Sequence, residues 1–376
     1  MRIRPVEKTL FLWLKARKSV DRRKTGIKDF RSGSVKNILV VSSTAIGDTL
    51  LSTPAIRAVR KRYPKARIIA LFNKDNIELF SNNPHIDGVV PYYGGYKRFN
   101  ATVAALTKYS FDLALIFHGN EPQATPMCYL AGARFIMKLP NNSDYNFLLS
   151  NREPVVTWDE MGHGIEGRLK TAELAGCAPD GFEMELFTDR ADTEKALEFL
   201  GKEGVTESTL LIGLQPGAST VSRQWFPERF TRLGKNLLSV YPEARIVLTG
   251  SPSEAELCKK ISAGIGEAAI VAAGRLQLRQ VPPLIKRLGV LVTGDTGPMH
   301  IAIAVGTPVV ALYAVADSKK TGPLYDKHRH RVIQKGRTCE PCVSKKCEYQ
   351  KCMEAISVEE VEAAVVEVLG ARGEDA

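Results

Sequence analysis

One pattern, run through twice, constrains this chain more than any single residue. An apolar, β-branched run leads into a loop of small residues, then a helix-forming stretch, then another apolar run. The first pass has such a run at residues 37–42, a loop at 43–48 and a helix with Pro54 near its start and Pro64 past its end. Further apolar runs follow at 66–71 and 111–117. The second pass has runs at 210–215, 244–249, 289–293 and 308–313, with Pro227 and Pro298 opening helices between them. Apolar runs of this length alternating with helices predict strands buried on both faces, hence parallel sheet. The fold class is therefore α/β, two Rossmann-like doubly wound domains. Residues 175–208 are charged and carry no strand signal, so the linker falls there. Two such domains facing each other leave a cleft at the carboxyl ends of their strands.

Length and composition agree with that architecture. The chain has 376 residues, 44% hydrophobic and 25% charged, which excludes disorder, collagen and coiled coil. No run approaches the ~18 apolar residues of a spanning helix. The first 20 residues have charges on both sides of their apolar stretch and no small-residue cleavage site, so the expected compartment is the cytoplasm. Net charge is +11, and residues 1–37, with twelve Lys/Arg against three Asp/Glu, supply +9 of it. The body is thus nearly neutral, and nucleic-acid binding is not expected. Leu10, Phe11, Trp13 and Leu14 sit among Lys8, Lys15, Arg17 and Lys18, a composition suited either to a helix on an anionic membrane surface or to a solvated basic extension.

Three loops carry the chemistry. The first, residues 44–48, follows a strand but has neither the Walker spacing nor G-x-G-x-x-G. It places Asp48 beside a helix start, where an aspartate serves as catalyst or as N-cap. In the second, Ser219 and Thr220 offer hydroxyls and Arg223 a forked cation to an anion, or the loop is a plain connection; Trp225 reads as core. The third, Asp295, Thr296, Gly297 and then Pro298 to His300, puts free N–H groups of a helix start after a buried strand, a site for a diphosphate. Glu254, just past Gly250, is placed either to accept from ribose hydroxyls or to sit solvated at a helix start.

These stretches together resemble the ADP-heptose:lipopolysaccharide heptosyltransferases. The matching blocks are residues 38–63, 112–133, 215–230, 247–261 and 291–313, in the family's order. The resemblance implies the GT-B architecture, inversion at the anomeric carbon and no metal for catalysis. It makes Asp48 the catalytic base, Ser219, Thr220 and Arg223 the diphosphate contacts, Glu254 the ribose carboxylate, and Asp295, Thr296, Gly297 and His300 the sugar and phosphate loop. Arg223 stands where many members have lysine, which keeps the charge and changes the geometry. His118 and Asn120, just beyond a strand end, are the candidates for acceptor contact. The expected organisation is a basic amphipathic extension (1–35), an acceptor-binding domain (36–190), a nucleotide-sugar-binding domain (191–350) and a C-terminal helix (351–376). In this architecture the last helix often returns to the first domain. The implied partners are an ADP-sugar donor, a lipid-linked saccharide acceptor and the inner face of the cytoplasmic membrane. The alternatives are a transferase of the same fold with another nucleotide-sugar or acceptor, and a sugar-nucleotide-binding protein without turnover.

Seven cysteines are present. Cys128, Cys177 and Cys258 lie in apolar surroundings and read as core. Cys339, Cys342, Cys347 and Cys352 cluster, and the spacing suggests a structural zinc site with four thiolates, disulfides or free thiols.

Overall fold

The computed structural model describes residues 5–339, 342, 347 and 349–374, and the chain divides into two compact units, Met1–Met184 and Glu185–Ala376. The division falls slightly before the expected 190/191.

The first unit holds a five-stranded, all-parallel sheet of β1 (Asn37–Ser42), β2 (Arg67–Asn73), β3 (Gly88–Tyr92), β4 (Leu113–His118) and β5 (Phe135–Lys138), in the order β3-β2-β1-β4-β5. Ile38, Leu39, Val40 and Val41 are wholly buried, as a central strand covered on both faces requires. Helix α1 (Pro5–Ser19) is part of this unit. Its Leu14 is fully buried in the first core, with Leu10 and Phe11 packed against the same cluster, and Phe11 meets Tyr145 and Phe147 edge-on. The extension is thus docked by three of the four apolar residues that made it read as amphipathic, Leu10, Phe11 and Leu14.

The second unit holds six parallel strands, β6 (Leu211–Gln215), β7 (Arg245–Leu248), β8 (Ala269–Val271), β9 (Val290–Gly294), β10 (Val309–Tyr313) and β11 (Arg331–Gln334), in the order β11-β10-β9-β6-β7-β8. The predicted linker contains a helix, α5 in chain order after α2 (Ile46–Leu50), α3 (Thr53–Arg62) and α4 (Gly164–Glu173); it spans Arg190–Lys202. Three more helices matter: α6 (Pro227–Val240), α7 (Gly297–Ala304) and α8 (Val358–Glu374). Val358, Val361, Val365 and Val368 of α8 are buried in the second core, against α6 and the sheet. Its apolar face is thus used within its own unit.

Both sheets wind outward from a central first strand, so the chain reverses direction across the sheet between β1 and β4, and again between β6 and β9. In doubly wound sheets the crevice at that reversal, at the carboxyl ends of the strands, is where ligands bind.

Candidate functional site

In the first unit the switch point is flanked by the residues after β1 and β4. Asp48 is the third residue of the short helix α2, whose N-cap is Ala45, so it is not the N-cap. Its carboxylate meets Thr44, Arg168 and His118. Oδ2 accepts from the Thr44 hydroxyl at 2.8 Å, Oδ1 accepts from Arg168 at 3.1 Å, and His118 Nε2 lies 3.6 Å from Oδ1. Gly119 is required just past β4, because a Cβ there would stand 2.7 Å from Ala124 Cβ.

Arg168, on α4, is buried and fully engaged. Its Nε donates to Ser52 Oγ at 3.0 Å, one terminal nitrogen to the Gly164 carbonyl at 2.7 Å, and the other to Asp48. Ser52 Oγ donates in turn to the Asp48 carbonyl at 2.8 Å. Burial pulls this guanidinium below its ordinary value, and Asp48 opposes that pull. Thr44 Oγ1 also lies 2.7 Å from His118 Nδ1. With one hydroxyl proton, given to the carboxylate, Thr44 accepts from His118, which assigns the proton to Nδ1 and leaves Nε2 bare toward Asp48. Burial pushes His118 down to about 4 despite Asp48, so the ring is neutral near pH 7. Asn120 is exposed, two residues beyond His118, and its carbonyl accepts from the N–H of Ala124.

In the second unit the switch point is flanked by the residues after β6 and β9. Arg223 and Asp295 meet there at 3.3 Å. Asp295 is held from behind by Thr321 Oγ1 at 3.1 Å and by the buried Tyr313 hydroxyl at 3.5 Å, and His300 Nε2 is 4.0 Å away. Burial, and then Asp295, hold the Tyr313 hydroxyl far above its ordinary range. Arg223 Nε is buried without a partner. Thr296 is the N-cap of α7, but its hydroxyl turns to Thr293 at 2.9 Å instead of capping, so the helix N–H groups at Gly297 and beyond are not capped by a side chain. Ser219 is exposed and Thr220 half-buried on the loop before Arg223. Glu254 closes a capping box with Ser251, whose N–H donates to Oε2 at 2.7 Å. Its other oxygen presses on Gly217, where any side chain would collide with it. Trp225 is core, donating to the Ile356 carbonyl at 3.0 Å.

A model of glycosyltransferase family 9 (heptosyltransferase) matches residues 104–353, more than half of the chain. The chain belongs to that family. The Haemophilus influenzae lipopolysaccharide core heptosyltransferase OpsX is 24% identical over 294 residues, covering 77% of this chain and 82% of that one. The fold is shared with a family 9 glycosyltransferase from Veillonella parvula (TM-score 0.74, 23% identity, 89% of this chain and 98% of that one). It is shared equally with the Escherichia coli ADP-heptose lipopolysaccharide heptosyltransferase II (TM-score 0.73, 24% identity, 90% and 100%). This protein is thus a glycosyltransferase with the GT-B pair of α/β domains.

The zinc expectation finds no support in the transferase. Cys339, Cys342, Cys347 and Cys352 border one cavity of about 160 Å³ beside Ser222 and Val315, and all seven cysteines are free thiols. Among the described residues no three metal-ligating side chains converge; the residues between these cysteines are partly outside the described set. Arg168 and Thr44 are the site residues that sequence reading missed. Nothing local marks Arg168, which lies 120 positions from the carboxylate it meets.

Proposed function

We propose that this glycosyltransferase moves heptose from ADP-heptose to a hydroxyl of a lipopolysaccharide inner-core acceptor, with inversion and without a catalytic metal. The observation that carries the reading is the charge each switch point turns outward. The first presents a carboxylate with a cation behind it, and the second a cation with a carboxylate behind it. The first arrangement suits a proton acceptor, the second a diphosphate. The name of the E. coli structural relative supplies the donor and the acceptor class.

In this reading the acceptor oxygen attacks the anomeric carbon as its proton passes to Asp48. The bond from that carbon to the diphosphate oxygen breaks, and ADP leaves with the electron pair. One displacement inverts the configuration. Arg223 and the N–H of Gly297 take up the charge developing on the leaving diphosphate, assisted by the Ser219 and Thr220 hydroxyls. Glu254 accepts from the ribose, Asp295 and His300 border the sugar, and His118 and Asn120 face the acceptor. No helix among the described residues is long and apolar enough to cross a membrane. The basic extension would hold the enzyme at the inner face of the cytoplasmic membrane, where the acceptor lies.

The test is ADP release from ADP-heptose with and without inner-core acceptor, for the wild type and Asp48→Asn. Acceptor-dependent release that collapses in the variant while ADP-heptose still binds supports the reading. Binding without turnover on any acceptor would make this a binding protein. Turnover of another nucleotide-sugar only would remove heptose.

A further inference from the structure

Helix α1 has two apolar faces. At ~100° per residue, Leu10, Phe11, Leu14 and Lys18 share the side that docks on the first unit. Leu12, Trp13 and Ala16 share an arc about 100° wide on the opposite side, and Val20 follows just past the helix end. Leu12, Trp13 and Val20 are exposed. Lys8, Lys15 and Arg17 flank that outer arc, with Arg17 stacked on the Trp13 ring at 5.3 Å. A helix docked on one side gains nothing from a second apolar face in water.

Beside it lies a groove of about 900 Å³, bounded by the end of α1, residues 21–29 and the segment from Phe147 to Glu153, with neither Asp48 nor His118 in its lining. Lys15, Lys18, Arg23, Lys24, Lys28 and Arg152 line it, opposed by three carboxylates, Asp21, Asp29 and Glu153. The groove is built, not draped. Arg23 grips both oxygens of Asp21 and donates to the Gly132 carbonyl, Lys18 donates to Thr25 at 2.9 Å, and the Ile27 N–H donates to the Ser150 carbonyl at 3.0 Å. Burial pulls the Lys18 ammonium below its ordinary value, Asp21 opposes that pull, and the neighbouring Arg152 and Arg23 add to it.

We infer that α1 and this groove form one lipid-docking surface, in which Leu12 and Trp13 enter the bilayer interface while the groove holds the phosphate of an anionic lipid headgroup. The inference rests on the membrane reading above and deepens it by naming the surface and the ligand. Charge complementarity selects the occupant, since the extension carries +9 of the chain's +11. A second copy would bring the same charge against itself, and a nucleic-acid backbone would leave Leu12 and Val20 in water. An interfacial helix wants this combination of an apolar arc and a cationic rim.

The experiment is flotation of the full chain with vesicles of phosphatidylglycerol or of phosphatidylcholine, for the wild type, Leu12→Ser/Trp13→Ser and Lys24→Gln/Lys28→Gln. These side chains are exposed, so circular dichroism melting curves should match the wild type. The wild type should float with phosphatidylglycerol alone, the first variant should remain unbound, and the second should lose about fivefold in partitioning per charge removed. Wild type that binds neither lipid or both alike, or a variant that partitions as the wild type does, overturns the inference. So does a wild-type dimer that sediments as a monomer after Leu12→Ser/Trp13→Ser, or RNA binding lost in the same variants. Turnover of ADP-heptose on a water-soluble acceptor reads the enzymatic proposal separately, so either can fail alone.

Discussion

The two switch points use one topology and opposite electrostatics. In the first unit the guanidinium of Arg168 is the hidden partner, 6% exposed, and the Asp48 carboxylate the outer one, 28% exposed. In the second unit the Asp295 carboxylate is hidden, 11% exposed, and the Arg223 guanidinium faces out, 35% exposed. A buried ion of one sign fixes the position of the outer ion and lessens its need for solvent. In the function proposed above, exchanging which partner is outside is what turns a proton acceptor into an anion receptor on the same scaffold.

The largest effect expected is at Asp48. Asp48→Asn keeps an acceptor for Arg168 but removes the base, so kcat should fall about 10²–10⁴-fold with ADP-heptose affinity unchanged. An equal loss of affinity in a titration of ADP-heptose would break the division of labour. Asp48→Ala adds a second cost, because it leaves Arg168 buried without its carboxylate. Denaturant unfolding should show a loss of about 3–5 kcal/mol. Arg168→Met in the same background should recover most of it, since the uncompensated charge goes too. Purely additive losses would mean that the pair is not coupled.

Arg223 is the counterpart. Arg223→Ala should weaken ADP binding by about 1.5–3 kcal/mol, the range for a hydrogen bond to a charged group, measured by calorimetry. Arg223→Lys should recover the charge but not the fork. Here the stability cost should be small, because Thr321 and Tyr313 still hold Asp295.

Acidification sharpens the comparison, since each unit holds one histidine pushed down to about 4, His118 in the first and His330 in the second, both chiefly by burial. The unfolded chain takes up these protons near the ordinary 6.5, the folded one only near 4. Stability is therefore full above about 6.5, falls with pH through that window and stops falling below it. His330 Nδ1 accepts from the Val309 N–H at 3.2 Å, so its protonation opposes a hydrogen bond at β10. Hydrogen exchange read at β4 and β10 should accelerate over the same window, and His118→Gln should flatten the response at β4 only. A flat response at both strands in the wild type would contradict neutral burial.

The strands legible in the sequence were the inner ones, and the reason is physical. β1, β2, β4, β6, β7, β9 and β10 are covered on both faces and read as continuous apolar runs. The four that escaped, β3, β5, β8 and β11, are the edges of the two sheets. They are short or interrupted: β3 contains Pro91, β5 ends in Lys138, β8 has three residues and β11 begins with Arg331 and ends with Gln334. The residues after inner strands were legible for the same reason, which is why Asp48, Arg223 and Asp295 stood out as candidates and lie at the two switch points. Arg168 was not, because a buried arginine on a helix has no local signature. The docking of α1 was not legible, because composition does not say which apolar face packs on the core.

The smallest effect concerns Glu254, where a structural and a functional role share one side chain. Oε2 serves the capping box with Ser251, and glutamine serves that box as well. Glu254→Gln should therefore leave the unfolding midpoint unchanged. A ribose carboxylate, by contrast, loses its charge in that substitution and retains only a neutral acceptor, so ADP affinity should drop by about 0.5–1.5 kcal/mol. Ser251→Ala is the converse. It should cost about 1 kcal/mol of stability with little change in ADP affinity, because the cap is lost and the carboxylate remains. If Glu254→Gln instead lowers the midpoint and spares ADP binding, Glu254 is a cap alone, and the second switch point recognises the nucleotide only through its phosphates.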